Sequence, residues 1–293
     1  MRLLIDTDTA SDDAVALLLA LRTPGVEVAA ITVVGGNVEV EQGVQNALYT
    51  VERAGKQVPV HAGRTGTTRF GHAVHGRDGM GDIGLPLANR EPAPGDAVDA
   101  LERAIRESPD ELTLVTLGPL TNVAALFARG VAPLLRDVVI MGGTSDDVGN
   151  VTPDAEYNVY ADPASARAVF ESDARMTMVG WDVSRKYAVF EPHDWEELRA
   201  LGPLGAFSVD IQRTLIEFCR TTLGKESFDL PDPIATAVAL DRTVATHTIR
   251  ARVEVDRETA QTHMRPDGDP QCEVVVAASG DRFRALLRDA LRS

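Results

Sequence analysis

The sequence of 293 residues is poor in cysteine, in aromatic residues and in positive charge. Its two cysteines, Cys219 and Cys272, are too few for a disulfide framework, so a reducing cytoplasm is the expected compartment. No apolar run approaches the roughly 20 residues that a membrane-spanning helix requires. The opening residues, MRLLIDTDTASDD, lack the pattern of a signal peptide. We therefore expect a cytoplasmic protein without a membrane partner.

Positive charge is scarce because 29 lysines and arginines stand against 44 aspartates and glutamates, a formal net charge of −15 at pH 7. Nucleic-acid binding needs a basic surface that contacts phosphates, so this balance argues against it. Hydrophobic residues make up 44 % and charged residues 25 %, as in ordinary globular proteins. The sequence contains no internal repeat and no linker rich in proline and serine. We expect one domain over residues 1–293.

Short apolar runs alternate with helical periodicity through the first two-thirds of the chain. Their uniform hydrophobicity predicts strands that are covered on both faces. The predicted strands are 3–5, 28–34, 112–116, 138–141 and 176–179. Strand–helix–strand alternation implies a doubly wound, open and mostly parallel α/β sheet. After Pro192 the pattern predicts a helical insertion and then antiparallel strands near the C-terminus; its segments are about 193–201, 205–222, 232–240, 248–256 and 272–278.

A strongly acidic turn, from Asp6 to Asp13, follows the first predicted strand and leads into an apolar helix. Ligands of open α/β sheets bind beyond the carboxyl ends of the strands. Carboxylates crowded there would repel one another unless they hold a hard divalent cation such as Ca²⁺ or Mg²⁺. The alternative is that Ser11 or Asp12 caps the helix and the acids complement its dipole. That alternative leaves Asp6 and Asp8 unexplained.

Two later segments fall at the same edge of the predicted sheet. Residues 114–122 form a strand that runs into a helix, and the carbonyls of the turn between them could reach a cation. The segment Leu230-Pro231-Asp232-Pro233 sets one aspartate between two prolines at the start of an apolar helix. Asp232 would be either an N-cap or a metal ligand there.

Polar residues follow other predicted strands. Asn150, Glu156 and Asn158 lie in the loop from 142 to 162, where their donors and acceptors suit either the hydroxyl groups of a sugar or an ordinary surface loop. Asn37 follows the second strand and could belong to a simple turn. His75 lies in the long aperiodic stretch 61–95 and is compatible with a surface or a site position.

Seven segments of the sequence follow one another in a recognisable order. They are DTDTASDDAVAL at 6–17, ITVVGGNV at 31–38, VHGRDGMG at 74–81, LGPLTNVA at 117–124, MGG at 141–143, GNVTPDAEYNVYADP at 149–163 and PDP at 231–233. In order and spacing they resemble the calcium-dependent nucleoside hydrolases, the inosine–uridine-preferring family. The resemblance spans about residues 3–290.

The resemblance implies hydrolysis of the N-glycosidic bond of ribonucleosides to ribose and free base, through a Ca²⁺-bound water and an oxocarbenium-like transition state. By motif position the Ca²⁺ ligands are Asp8, Asp13, the carbonyl of Leu117 and Asp232. The implied substrate-binding residues are Asp12 at the 2′-hydroxyl, Asn37, Asn150, Glu156 and Asn158. The implied catalytic residues are Asp8 as general base and His75 near the base pocket. Family members are dimers or tetramers, so a homodimer or homotetramer is implied.

Two positions depart from the family pattern. Ala10 stands where many relatives have glycine, and it tolerates positive φ less well, so we expect the turn to be held by its metal or its neighbours. Pro231 stands where relatives place a histidine or tryptophan that assists the leaving base. Activation of the leaving base must then come from elsewhere, with His75, Arg220 and Lys225 as candidates.

Two other functions are also compatible with the sequence. Loss of the leaving-group residue at Pro231 would also fit a non-catalytic protein that binds nucleosides or ribose. The Asp6-x-Asp8 pair after an apolar strand is found in haloacid-dehalogenase-type phosphatases as well, but that family has Thr or Val where this chain has Ala10.

Overall fold

The computed structural model describes residues 1–66, 74–265 and 271–292. Its strands are β1 (Arg2–Thr7), β2 (Glu27–Val33), β3 (Val60–Ala62), β4 (Leu112–Thr116), β5 (Asp137–Met141), β6 (Met176–Val179), β7 (Val189–Phe190), β8 (Phe228–Asp229), β9 (Ala245–Val255), β10 (Thr262–Arg265) and β11 (Cys272–Ala278). Its helices are α1 (Ser11–Arg22), α2 (Val40–Arg53), α3 (Ala97–Glu107), α4 (Thr121–Phe127), α5 (Tyr157–Ala161), α6 (Pro163–Phe170), α7 (Trp181–Tyr187), α8 (Pro192–Ala200), α9 (Pro203–Asp210), α10 (Arg213–Phe218), α11 (Pro231–Leu240) and α12 (Gly280–Leu291). Within these ranges, no helix has both the length and the apolar character needed to cross a membrane.

One large sheet organises the described part of the chain. Nine strands follow the order β10-β9-β11-β6-β5-β4-β1-β2-β3, while β7 and β8 form a separate antiparallel pair. The strands from β11 to β3 are parallel, and β9 pairs antiparallel with both β11 and β10. The predicted doubly wound sheet with antiparallel strands near the C-terminus is therefore confirmed. The winding reverses between β1 and β4, which is where ligands of such sheets bind.

Apolar side chains cover both faces of this sheet. In β1, Leu3 and Ile5 belong to one buried layer and Leu4 to the opposite one. Helices α1, α2, α9, α11 and α12 pack on the first face, and α3, α4 and α6 pack on the second. Burial of a Leu or Ile side chain contributes about 1.5–3 kcal/mol. Because both faces are buried, the strands are apolar throughout instead of alternating with polar residues.

The structure differs from the prediction where elements are short or broken. The stretch 205–222 is not one helix: α9 ends at Asp210, α10 begins at Arg213, and a π-helical turn follows over Cys219–Leu223. Strands β3, β7, β8 and β10 are absent from the predicted strands; they have two to four residues each and do not stand out as uniformly apolar runs. Part of the predicted loop 61–95, residues 67–73, lies outside the described residues. The single domain over 1–293 stays a prediction.

Candidate active site

Carboxylates from three parts of the chain meet where the strand order reverses. Asp8 follows β1, while Asp12 and Asp13 lie in the first turn of α1. Asp232 lies in the first turn of α11. Oxygen atoms of Asp12, Asp13 and Asp232 lie within 4.8 Å of one another, and the charge of Asp8 acts on Asp13 and Asp232. We call these four buried residues the acidic cluster.

Two oxygens of the acidic cluster are buried without a hydrogen-bond partner, Oδ1 of Asp8 and Oδ1 of Asp12. A buried carboxylate oxygen without a partner carries a desolvation cost that nothing in the chain offsets. Oδ2 of Asp8 accepts a hydrogen bond from the backbone N–H of Asn37. Hard divalent cations are bound by carboxylate and carbonyl oxygens of this kind. The acidic cluster can therefore hold a metal ion.

Burial also changes the acidity of these carboxyls. It raises the pKa of Asp8 to about 6, against a hydrogen bond from Asn37 that lowers it. Burial raises the pKa of Asp13 and Asp232 well above the usual range, and repulsion between the carboxylates adds to the increase. The neighbouring Asp6 has a pKa raised to about 7 by burial. Without a cation, Asp8, Asp13 and Asp232 retain protons to a higher pH than exposed carboxyls do, and a bound cation would displace those protons.

Internal hydrogen bonds hold the turn between β1 and α1. Asp13 accepts from the Thr7 hydroxyl through Oδ1 and from the Ala10 N–H through Oδ2, the latter at 2.9 Å. Ala10 is extended with φ of −89°, whereas Thr9 has φ of +33°, a conformation that is costly for a β-branched residue. Nδ2 of Asn46 donates to the Thr9 carbonyl at 2.9 Å and ties the turn to α2. The turn is held by neighbours as expected, but the positive φ falls on Thr9 and not on Ala10.

Neither Ser11 nor Asp12 is the N-cap of α1, which is Ala10, but Asp12 and Asp13 lie in the first turn and complement the helix dipole. Ser11 is the first residue of α1, and its hydroxyl contacts side chains of other elements instead of the helix backbone. The N-cap alternative for Asp232 is wrong. Helix α11 begins at Pro231 with Leu230 in the N-cap position. Asp232 therefore lies inside the helix, and its carboxylate belongs to the acidic cluster.

Glycine at Gly36 allows the backbone after β2 to approach Asp8. A Cβ atom at Gly36 would lie 2.7 Å from Cγ of Asp8, closer than non-bonded carbons pack. Gly118, after β4, is also close, since a Cβ atom there would lie 2.9 Å from the backbone nitrogen of Asp8. The hydrogen bond from Asn37 to Asp8 depends on this close approach because Asn37 directly follows Gly36.

Glu156 is held at the same edge of the sheet by three backbone N–H groups. Its Oε1 accepts from Asn158 at 2.8 Å, and its Oε2 accepts from Gly143 at 2.8 Å and from Val159 at 3.2 Å. Burial raises the pKa of Glu156 to about 7, and the charge of Asp8 adds to the increase. The carboxyl thus caps α5 in a fixed position beside the acidic cluster.

Asn158 links this segment to the turn after β4. Its Nδ2 donates to the Leu117 carbonyl at 2.9 Å and to the Met141 carbonyl at 3.3 Å. A carbonyl oxygen has two lone pairs, so Leu117 retains one for a cation. Asn37 is half-buried, whereas Asn150 is exposed and its N–H donates to the Ala155 carbonyl. Asn150 lies in the loop between β5 and α5.

His75 contacts the start of α1. Its Nδ1 lies 2.7 Å from the Ser11 hydroxyl and 3.7 Å from Oδ1 of Asp12. Of the other candidates for leaving-group activation, Arg220 is exposed and pairs with Glu226 at 3.1 Å. Lys225 is exposed as well. His75 is the candidate that the structure brings to the acidic cluster.

Sequence reasoning missed two residues of the site, Asn46 and Gln212. Gln212 is fully buried between α9 and α10 and accepts a hydrogen bond from the Ser11 hydroxyl at 2.7 Å. It belongs to none of the quoted motifs, and it sits at a helix break that periodicity did not indicate. Asn46 lies on the regular helix α2, and its hydrogen bond to the Thr9 carbonyl is what shows that it belongs to the site.

Comparison with known proteins identifies the protein family to which the chain belongs. Residues 3–285 match the family model described as "Inosine-uridine preferring nucleoside hydrolase". The chain belongs to this family.

Three relatives illustrate the similarity. Uridine nucleosidase 1 of Arabidopsis thaliana is 40 % identical over 191 residues, which cover 62 % of this chain and 57 % of that protein. Probable uridine nucleosidase 1 of Oryza sativa subsp. japonica is 34 % identical over 243 residues, 80 % of this chain and 75 % of that protein. The structure of the purine-preferring ribonucleoside hydrolase from Gardnerella vaginalis is 29 % identical, has a TM-score of 0.92, and covers 99 % of this chain and 98 % of that one. The names of these three proteins include both uridine and purine substrates.

Replacing Gly36 with alanine should weaken metal binding. The added methyl group would displace the Asp8 carboxylate, and loss of a supporting contact costs about 10- to 100-fold in metal affinity. Titration calorimetry with Ca²⁺ measures the change. Gly142→Ala is the matched control, since a Cβ atom there meets its first neighbour at 3.6 Å, an ordinary contact. Equal affinities for the two variants would contradict the role of Gly36.

The stability of the metal-free protein should fall as pH rises from 3.8 to about 6. In that range Asp8 holds its proton in the folded state and loses it in the unfolded state, so the free energy of unfolding decreases with pH. Thermal unfolding with a chelator, compared between wild type and Asp8→Asn, measures the contribution of this carboxyl. The variant should lose less stability over the range. Added Ca²⁺ should stabilise wild type more strongly as pH rises, and parallel curves for both proteins would refute the assignment.

Proposed function

We propose that this protein hydrolyses the N-glycosidic bond of ribonucleosides and releases ribose and the free base. The observation that carries the proposal is the acidic cluster, with its two unpartnered oxygens, at the reversal of strand order in a chain of this family. Its negative charge suits a substrate that is neutral and develops positive charge during the reaction. The names of the relatives support the same class of substrate.

Ca²⁺ is the proposed metal, and Asp8, Asp13, Asp232 and the carbonyl of Leu117 are its proposed ligands. An all-oxygen set with three carboxylates suits a hard cation. The unpartnered Oδ1 of Asp8 and the second lone pair of the Leu117 carbonyl support this choice. When bound, Ca²⁺ would supply positive charge that orders the ribose hydroxyls and makes water more acidic.

Residues of the chain would carry out the remaining steps. Asp8 takes a proton from the attacking water, whose oxygen forms a bond to C1′ as the bond from C1′ to the base nitrogen breaks. The base leaves with the electron pair of that bond, and the ribosyl group passes through an oxocarbenium-like state. The unpartnered Oδ1 of Asp12 accepts a hydrogen bond from the 2′-hydroxyl. Glu156 and the cluster stabilise the positive charge that develops on the sugar.

The amides Asn37, Asn150 and Asn158 are the proposed partners of the other ribose hydroxyls. Asn37 and Asn150 can both donate and accept, whereas Asn158 offers its amide oxygen because its Nδ2 donates to Leu117 and Met141. His75 is the proposed donor to the leaving base, because its ring lies against the start of α1 while Arg220 is engaged with Glu226. Pro231 has neither a polar side chain nor a backbone N–H for this purpose. The homo-oligomer and the cytoplasmic location stay predictions.

Replacing Asp8 with alanine should reduce the rate of hydrolysis by about 100-fold or more, the contribution typical of a positioned general base. Release of ribose from inosine, adenosine, guanosine, uridine and cytidine with Ca²⁺ measures the activity and the base preference together. Asp194→Asn is the matched control, because Asp194 is buried on α8 and accepts a hydrogen bond from the Glu191 N–H. Full activity of Asp8→Ala on the best nucleoside would rule out the proposed base.

Titration calorimetry together with the ribose-release assay separates the hydrolase from a protein that only binds nucleosides. Heat of binding for a nucleoside without release of ribose would support the hypothesis of a binding protein. That hypothesis is based on Pro231, which replaces the usual leaving-group residue. The phosphatase hypothesis has lost its support, because the family match extends over residues 3–285.

A further inference from the structure

The side chain of Gln212 has one orientation that satisfies its surroundings. Its Nε2 donates to the carbonyl of Ser11 at 3.0 Å and to the carbonyl of Ser208 at 3.4 Å. Both partners only accept, so a rotated amide would place oxygen against two oxygens. The amide oxygen, Oε1, consequently faces the Ser11 hydroxyl at 2.7 Å.

This orientation decides the direction of the next hydrogen bond. The Ser11 hydroxyl carries one proton, and Oε1 of Gln212 can only accept it. The lone pairs of the Ser11 oxygen are what remains for His75, whose Nδ1 lies 2.7 Å away. Nδ1 must therefore be the donor. Ser11 and Gln212 are fully buried, so water does not compete with these bonds.

The helix break that contains Gln212 also supports the loop of His75. The N–H of Gly81 donates to the His75 carbonyl at 2.8 Å, which closes that loop. A Cβ atom at Gly81 would lie 2.9 Å from the carbonyl carbon of Ile211, so the two backbones are in direct contact. The backbone at the break holds the loop, and the side chain of Gln212 acts on the ring.

We propose that Gln212 is a positioning residue that acts through Ser11 to hold the His75 ring with its proton on Nδ1. Nε2 is then the ring nitrogen left for the leaving base. A ring protonated on both nitrogens gives its Nε2 proton to the base and remains as the neutral form with its proton on Nδ1, which Ser11 holds. The catalytic consequence rests on the proposed function, whereas the position of the proton does not. This arrangement fixes the His75 ring as a donor on the base side of the site, where the side chain of Pro231 offers no donor.

Nitrogen NMR of ¹⁵N-histidine-labelled protein tests the position of the proton directly. The His75 signals, assigned with His75→Gln, should report Nδ1–H in wild type at a pH where the ring is neutral, with and without Ca²⁺. Gln212→Met and Ser11→Ala should each yield a mixture of tautomers. Ser11→Thr retains the hydroxyl and should restore the wild-type pattern. Ser208→Ala is the matched control, because the Ser208 hydroxyl donates to the Leu204 carbonyl and takes no part in the hydrogen bonds that link Gln212, Ser11 and His75.

Kinetics with two leaving groups test the consequence for the reaction. With the best nucleoside, kcat of Gln212→Met should fall about tenfold or more, within the range for a proton-donating group, with little change in KM. With p-nitrophenyl β-riboside, whose leaving anion needs no proton, the variant should match wild type. Ser11→Ala should behave in the same way, and it serves as the second variant if Gln212→Met does not fold.

The outcomes separate this inference from the proposed function. A wild-type spectrum with the proton on Nε2, or tautomers unchanged in both Gln212→Met and Ser11→Ala, would overturn the inference even in an active enzyme. Equal losses with both leaving groups would reduce Gln212 to a structural residue and would also overturn it. Absence of hydrolysis in wild type, together with the expected NMR pattern, would refute the proposed function. It would still support the role of Gln212 and Ser11 in holding the proton on Nδ1 of His75.

Discussion

Repulsion among buried carboxylates is the constraint on which the rest of this site depends. Asp8, Asp12, Asp13 and Asp232 are buried next to one another, and each charged carboxylate would be more stable if its neighbours were absent or neutral. The surrounding residues supply donors to some of their oxygens and leave others open. Close backbone approach at Gly36, the bonds to Asp13 and the strained Thr9 all serve to hold like charges together.

Much of the fold follows from the sequence because burial on both faces makes a strand apolar throughout. This rule identified β1, β2, β4, β5 and β6, and the acidic turn stood out because four acids in eight residues are hard to explain as helix caps. Short strands and the break between α9 and α10 could not be predicted, since they arise from packing against distant parts of the chain. The positive φ of Thr9 likewise depends on Asn46, 37 residues away.

The two halves of the site differ in how well sequence patterns predict their residues. The half assigned to the sugar comes from strand ends and the first turns of helices, where spacing and residue type are tightly constrained. The half assigned to the base comes from a loop, a helix break and the prolines of α11, where many sequences satisfy the same geometry. Gln212 acts on a histidine 137 positions away through a serine 201 positions away, and no local pattern encodes such a connection.

The formal charge of −15 counts every carboxyl as ionised. Burial raises the pKa of Asp6, Asp8, Asp13, Glu156 and Asp232, so these groups retain protons at an acidity where exposed carboxyls have lost theirs. The metal-free protein should therefore focus at a higher pH than the value of about 4.8 that its composition gives. Uptake of a divalent cation exchanges protons for two positive charges, and in mildly acidic buffer the electrophoretic mobility of the protein changes little on binding.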